Sequence, residues 1–336
     1  MTALDLDGSD GGGQLLRTAL TLACLSDHAF EMTGIRADRP TPGLRPQHLA
    51  CVEAAVTLTD ATVEGDAVGS ETLAFRPTRA PNGDVSVDVG TAGSVALVFD
   101  TVLPLAVGLD APISVTATGG TDVKWAPTFD YLRDLKLPVL ARHGLAAAVD
   151  LHRRGFYPVG GGEATLHVAP SSFRPLELGV RGNHEDLTAS VHAVAATDLA
   201  DADVCERALD RVRDRLALPI AETSATTAET DCPGFALLVS LAGGTHAGFD
   251  ALGERGLPAE DVADAVVDDC ESWLDGPGTV DAHLADQLVV PLALAGGSIA
   301  VPRLTAHVRT NRDLVEAFGY ELVVREGDDG GVVLSG

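Results

Sequence analysis

The chain has 336 residues, 46% of them hydrophobic, and carries 49 acidic against 23 basic side chains for a formal net charge of −26. That length suits one large domain with an insert or two domains, and that apolar content excludes global disorder. The charge excludes the broad basic surface by which most nucleic-acid binders hold a phosphate chain, so any anion must be read by local arginine clusters.

At the start, Met1-Thr2-Ala3-Leu4-Asp5, no basic stretch precedes an apolar run, and no signal peptide is expected. A short apolar strand leads into Asp7-Gly8-Ser9-Asp10-Gly11-Gly12-Gly13-Gln14 and then a helix beginning Leu15-Leu16-Arg17. Glycines let backbone approach an anion closely, and helix N-terminal amides complement negative charge. Asp10 could hold a Mg²⁺ ion shared with phosphate oxygens. An ordinary strand-to-helix turn has the same composition, and the lack of Gly-Lys-Ser/Thr excludes a Walker A loop. The segment from Arg36 through Arg39 and Arg45 to Gln47 and His48 gathers three arginines before a helix over 46–58, with Pro46 suited to its first turn. Guanidinium forks match phosphate oxygens; a surface salt-bridge cluster is the other reading.

The loop Gly90-Thr91-Ala92-Gly93-Ser94 opens a helix at Val95, between strand-like runs over 85–89 and 113–117, and a further helix is predicted over 127–140. Two loops dense in glycine and aromatics follow, one from Gly119 to Pro127 and one from Gly155 to Gly162. Singly each reads as a turn; together with the first two they point to a shared cleft. After Gly182-Asn183 come a strand-like run, a charged helix over 202–216, a polar stretch over 222–231 and an apolar strand over 235–241. These describe an inserted α/β subdomain over 184–276, although the acidic helix over 258–273 fits either side of its edge. Asp275-Gly276-Pro277-Gly278-Thr279 then leads to a helix over 283–295, and a last helix is predicted over 311–318. On the helix over 283–295, His283, Asp286 and Gln287 share one face while Leu284, Leu288 and Leu292 share another. The apolar row packs inward; the polar row either lines a pocket or meets solvent.

A small-residue loop followed by an apolar helix thus occurs three times, each time with a second helix about 30 residues on. The expected fold class is α/β (α+β), a large domain of three repeated βα-rich units over 1–183 and 277–336 with the smaller α/β insert. The cysteines, Cys24, Cys51, Cys205, Cys232 and Cys270, are far apart and form no Cys-x-x-Cys pair, which argues against disulfides and structural zinc and suits a reducing cytoplasm. No run of about 18 apolar residues predicts a membrane span. Arginine far outnumbers lysine and aspartate is abundant, a halophilic composition. At about 1 M salt the Debye length is roughly 3 Å, so distant carboxylates hardly repel a phosphate.

His307 stands in Leu304-Thr305-Ala306-His307-Val308-Arg309-Thr310-Asn311. A neutral imidazole can attack phosphorus and hold a nucleotide as a phosphoramidate. The two lysines, Lys124 and Lys136, are not followed by Asp-Gly, the usual setting of a nucleotide-accepting lysine. Histidine is therefore the better candidate nucleophile, although taken alone a structural histidine is the plainer reading.

Six ordered segments carry a resemblance: Gly-Gly-Gly-Gln-x-Leu-Arg from Gly11, Pro-Gly-Leu-Arg-Pro-Gln-His-Leu from Pro42, Gly-Gly-Thr-Asp from Gly119, Gly-Phe-Tyr-Pro-x-Gly-Gly-Gly from Gly155, His-Leu-Ala-Asp-Gln-Leu from His283 and His-Val-x-Thr-Asn from His307. Together they resemble the RNA 3′-terminal phosphate cyclase family along nearly the whole chain. The resemblance implies an ATP-dependent enzyme, with Mg²⁺ or Mn²⁺, acting on RNA with a 3′-phosphate end in the cytoplasm and away from membranes. His307 would take AMP from ATP with release of pyrophosphate and pass it to the 3′-phosphate. The neighbouring 2′-hydroxyl would then close a 2′,3′-cyclic phosphate and expel AMP. His283, Leu284, Ala285, Asp286 and Gln287 match the ATP-binding segment, and Gln14, Arg17, Arg36, Arg39, Gln47 and His48 match positions near nucleotide or RNA phosphates. Tyr131 takes the place of an aromatic beside adenine, and Asp10 falls near a metal-binding glutamate in a loop two residues shorter. Asp100 stands where the family usually has an ATP-contacting glutamine; a carboxylate accepts hydrogen bonds but cannot donate them, and it would repel phosphate. A relative serving ribosomal RNA maturation without cyclising ends would lack the histidine, and enolpyruvyl transfer would demand lysines.

Overall fold

One strand order recurs three times along the chain. In the computed structural model, which describes residues 3–26, 28–90, 92–327 and 330–336 (His184 by its backbone alone), the first stretch runs β1 (Leu4–Asp7), α1 (Gly13–Ser26), β2 (Phe30–Thr33), α2 (Pro46–Thr59), β3 (Thr62–Glu64) and β4 (Leu73–Arg76). β1 and β2 pair parallel, and β4 runs antiparallel between β2 and β3, giving the order β1-β2-β4-β3. The second stretch, β5 (Asp84–Asp88), α3 (Val95–Val102), β6 (Ile113–Gly119), α4 (Leu137–Arg142), β7 (Ala147–Arg153) and β8 (Gly162–Val168), gives β5-β6-β8-β7 with the same senses. Met1, Thr2 and Thr91 of the second glycine loop lie outside the described residues.

The third stretch starts at β9 (Leu176–Leu178) and is interrupted by β10 (Thr188–Ala196), α5 (Val204–Arg215), β11 (Ile220–Ala228), β12 (Phe235–Ala242), β13 (Ala247–Leu252) and α6 (Ala259–Leu274). It resumes with α7 (Ala282–Ala295), β14 (Gly297–Val301), α8 (Ala306–Ala317), β15 (Val323–Glu326) and β16 (Val332–Ser335), in the order β9-β14-β16-β15. The interrupting strands make a fourth sheet, β11-β10-β12-β13. The α/β class with repeated βα units is thus present as expected.

Period-two burial makes the strands. Along β6, Ile113, Val115 and Ala117 are buried while Ser114, Thr116 and Thr118 are half-exposed. The three repeated sheets share one apolar core with α1, α2, α3, α7 and α8, and a second core lies between the fourth sheet and α5 and α6. The acidic helix α6 packs on α5, β12 and β13, and its Glu260, Asp264 and Asp268 pair with Arg207, Arg211 and Arg215 of α5.

Three local expectations change. The polar stretch over 222–231 is largely strand β11, an edge strand on the parallel partner β10, with Glu222, Thr226 and Thr227 facing water. The helix expected over 127–140 is broken into a π-helical turn at Tyr131–Lys136 followed by α4. The last helix starts at Ala306 rather than Asn311, because the Thr305 hydroxyl caps it by accepting from Val308 N–H.

Candidate active site

The corrected start of α8 puts His307 in the helix's first turn, half exposed. Its Nδ1 lies 3.2 Å from Asp286 Oδ2, and Thr305 Oγ1 donates to Asp286 Oδ1 at 2.6 Å. A carboxylate can only accept, so Nδ1 carries a proton in this contact, and in the neutral ring the lone pair is then on Nε2. Helix α7 presents Asp286 because Asp281 caps it: the Asp281 carboxylate accepts from the backbone N–H groups of His283 and Leu284.

Helix α8 lies against α1 through a buried bond from Thr18 Oγ1 to Asn311 Oδ1, 3.0 Å. Gln14 and His307 each stand four residues before that bond, about 6 Å along their helix axes. At the start of α1 the backbone touches α2. A methyl group on Gly13 would stand 2.2 Å from His48 Nε2, so only glycine fits there. His48 Nδ1 accepts the Arg45 backbone N–H at 2.9 Å, which leaves the proton on Nε2, facing Gly13. Burial, and then the charges of Arg17, Arg36 and Arg45, push the His48 pKa down to about 3, so the ring is a neutral donor at neutral pH.

Arg17, Arg36 and Arg45 therefore surround His48, and Arg39 joins them: its Nη2 would be 3.3 Å from a methyl on Gly12, and with Arg45 it lowers the Arg36 pKa, after burial. Arg36 donates through Nη1 to Thr41 O and Gly43 O. Among the described residues none of these four arginines pairs with a carboxylate, although acids outnumber bases by two to one. Four unpaired guanidiniums beside a helix N-terminus suit a polyphosphate.

Three glutamines point to the same ligand class. Gln14 Nε2, Gln47 Oε1 and Gln287 Oε1 are buried and lack hydrogen-bond partners among the described residues. Gln47 also donates to Ser94 O, the cap of α3, and so joins the second repeat to the cluster. One bare donor and two bare acceptors fit a nucleotide, which offers phosphate and ring-nitrogen acceptors together with amine and hydroxyl donors. Asp10 is exposed, and no group of three or more His, Cys, Asp or Glu among the described residues could cage a metal. A lone exposed carboxylate could supply one ligand to a Mg²⁺-like ion whose other ligands are phosphate and water.

Other expected residues sit elsewhere. His283 is exposed on α7, whereas the side chains of Leu284 and Ala285 are fully buried in the core. Tyr131 is also fully buried, and its hydroxyl donates to Asp281 at 2.9 Å, so it braces the cap of α7 rather than facing the cluster. Asp100 forms a mostly buried ion pair with Lys136. A cation already answers the carboxylate expected to repel phosphate. Thr305, Asp281 and Lys136 were not singled out as site residues from sequence, whereas Arg45 was read there as one of three clustered arginines. Of these, Thr305 carried the clearest signal, a threonine three residues ahead of the first apolar position of a helix.

The site is a cluster of arginines and glutamines beside an oriented histidine on a three-fold repeated βαβαββ scaffold. The family model described as RNA 3′-terminal phosphate cyclase matches residues 9–322, and the chain belongs to that family. A protein of Halobacterium salinarum named RNA 3′-terminal phosphate cyclase is 47% identical over 98% of this chain and 99% of its own. Relatives of the same name from Ectopseudomonas mendocina and Pyrobaculum neutrophilum are each 39% identical, over 97% and 94% of this chain and 96% and 93% of theirs. Among solved structures, the enolpyruvyl transferase NikO from Streptomyces tendae aligns with 99% of this chain and 48% of its own at a TM-score of 0.40 and 9% identity, too distant to bear on function. No helix among the described residues is long and apolar enough to cross a membrane.

Proposed function

We propose that the protein converts an RNA 3′-terminal phosphate to a 2′,3′-cyclic phosphate at the expense of ATP, through AMP carried on His307. The observation that carries this reading is the contact between His307 Nδ1 and Asp286, which frees Nε2 for attack. Nε2 forms a bond to the α-phosphorus of ATP as the bond to the pyrophosphate oxygen breaks. Asp286 faces the positive charge that develops on the ring. The RNA 3′-phosphate then displaces the imidazole, forming a phosphoanhydride with AMP. Attack by the adjacent 2′-hydroxyl expels AMP and closes the ring, with little further orientation needed because the hydroxyl is already beside the phosphorus.

Arg17, Arg36, Arg39 and the Nε2–H of His48 hold phosphate oxygens, and Gln14, Gln47 and Gln287 complete contacts to the nucleotide. Asp10 holds the Mg²⁺ or Mn²⁺, which when bound neutralises phosphate charge. The five free cysteines, four of them buried, fit a reducing cytoplasm. Residues 184–276, with their own sheet and core, form a module set into the third repeat of a catalytic body over 1–183 and 277–336.

The test uses ATP labelled at its α-phosphate with Mg²⁺ or Mn²⁺ in concentrated KCl. Wild-type protein gains label through an acid-labile, base-stable bond, and His307→Ala does not. Label retained by that variant would place the nucleophile elsewhere.

A further inference from the structure

Two loops with dense glycine meet at the surface and display aromatic rings that the proposed chemistry does not use. Backbone bonds stitch them together: Thr121 N–H and Asp122 N–H donate to Gly155 O, and Tyr157 N–H donates to Asp122 O at 3.1 Å. Buried Arg154 ties both ends, bonding Asp122 at 2.8 Å and Asp130 at 2.9 Å. Phe156 is buried against Val194, Ala196 and Ala236 of the fourth sheet, and Lys124 pairs with Glu254 at 2.8 Å. The interrupting segment therefore braces both loops.

At their tips Trp125 is 90% exposed and Tyr157 40% exposed, with ring centroids 6.3 Å apart in an edge contact. Lys124 Nζ lies 5.3 Å from the centre of the Tyr157 ring. Trp125 holds this position at φ +65°, a conformation costly for a bulky residue and easy for glycine. Strain kept to present a bare indole to water marks a ring with a task. The loop's base adjoins the site: Val95 N–H donates to Gly120 O, and Ser94 accepts from Gln47. Trp125 is five Cα steps from Gly120, a reach of roughly 18 Å at most.

We infer that Trp125, edged by Tyr157, is a stacking platform for unpaired RNA bases just upstream of the 3′-phosphate. The inference rests on the reading of the protein as an RNA-end enzyme and adds how the strand behind the end is held. Single-stranded RNA is recognised by stacking of splayed bases on aromatic faces, and such stacking tolerates any base. In a chain of net charge −26, stacking on an aromatic face adds grip on the strand that needs no broad basic surface.

The protein has two tryptophans, and the other, Trp273, is 5% exposed, so quenching of exposed indole reports on Trp125. A single-stranded oligoribonucleotide of about ten residues with a 3′-phosphate and a 5′ fluorophore is titrated into wild type, Trp125→Gly and Trp125→Phe, with anisotropy giving Kd in all three and indole quenching recorded in wild type. Glycine relaxes the loop's backbone, so misfolding does not explain a loss in that variant. Expected are quenching in wild type, roughly tenfold weaker Kd and higher KM for Trp125→Gly with a much smaller change in kcat, and near-wild-type values for Trp125→Phe. Equal RNA affinity in wild type and Trp125→Gly overturns the inference. So does a change confined to self-association in sedimentation, which would assign the patch to contact between copies. Labelling of wild-type protein by ATP alone separates the two readings: if it fails, the proposed activity fails, and if it succeeds while Trp125→Gly binds RNA normally, only the platform does.

Discussion

Asp286 holds His307 with one carboxylate oxygen and Thr305 with the other, at 3.2 and 2.6 Å. One acid thus fixes both the ring and the residue that caps the ring's helix. Because Thr305 immobilises the carboxylate, the imidazole is held in one tautomer as well as one orientation.

Asp286→Asn keeps the shape but offers an amide that can donate to Nδ1 and so move the proton to Nε2. The rate of self-adenylylation is expected to fall roughly 10²-fold or more, by analogy with other carboxylate-oriented histidines. A rapid-quench time course measures it; a rate within a factor of two of wild type would dismiss the orienting role.

His48 titrates at about 3 in the folded protein against 6.5 in an unfolded chain. Between those values the unfolded state binds the extra proton, so stability falls as pH drops from about 6.5 to 3 and is unaffected by this residue above that range. Urea unfolding of wild type and His48→Gln across pH 4–7 is expected to give a flatter acid limb in the variant. The difference in slope is at most about 1.4 kcal/mol per pH unit. Parallel limbs would mean that His48 is not held neutral. His246, lowered to about 4 mainly by burial and then by Arg142, adds the same sign of slope to both proteins.

Lys136 and Asp100 are 4% and 13% exposed. Asp100→Ala leaves the ammonium buried without its partner and is expected to cost about 3–5 kcal/mol. Asp100→Leu combined with Lys136→Met should cost less than the sum of the single changes. A double-mutant cycle by chemical denaturation reads the coupling, and additive effects would remove the pair from the stability argument.

Asp10→Ala is expected to raise several-fold the Mg²⁺ or Mn²⁺ concentration giving half-maximal labelling of the protein by ATP, with the melting temperature close to wild type because the side chain is exposed. An unchanged metal dependence would take Asp10 out of metal binding.

The repeated architecture was legible because each unit advertises itself twice, by a glycine-rich loop and by the helix that loop opens. The arginines near His48 were legible as a cluster, since their sequence spacing is short. What stayed hidden depends on contacts between elements far apart in sequence, within one repeat or across two. Nothing in the order of residues announces that Lys136 meets Asp100 or that the Tyr131 hydroxyl reaches Asp281, 150 positions away. The position of Tyr131 on a π-helical turn, where helical periodicity fails, explains why its direction could not be read from spacing. Likewise β11 hid because an edge strand needs no apolar alternation to pair.

Four guanidiniums stand together in a molecule that is otherwise strongly anionic. An RNA strand diffusing inward meets a repulsive far field before it can feel that attractive spot. Dissolved electrolyte shortens the reach of the first while sparing contacts of a few ångströms. Encounter rates should consequently climb with ionic strength over the sub-molar range, the reverse of the slowing that basic nucleic-acid binders undergo.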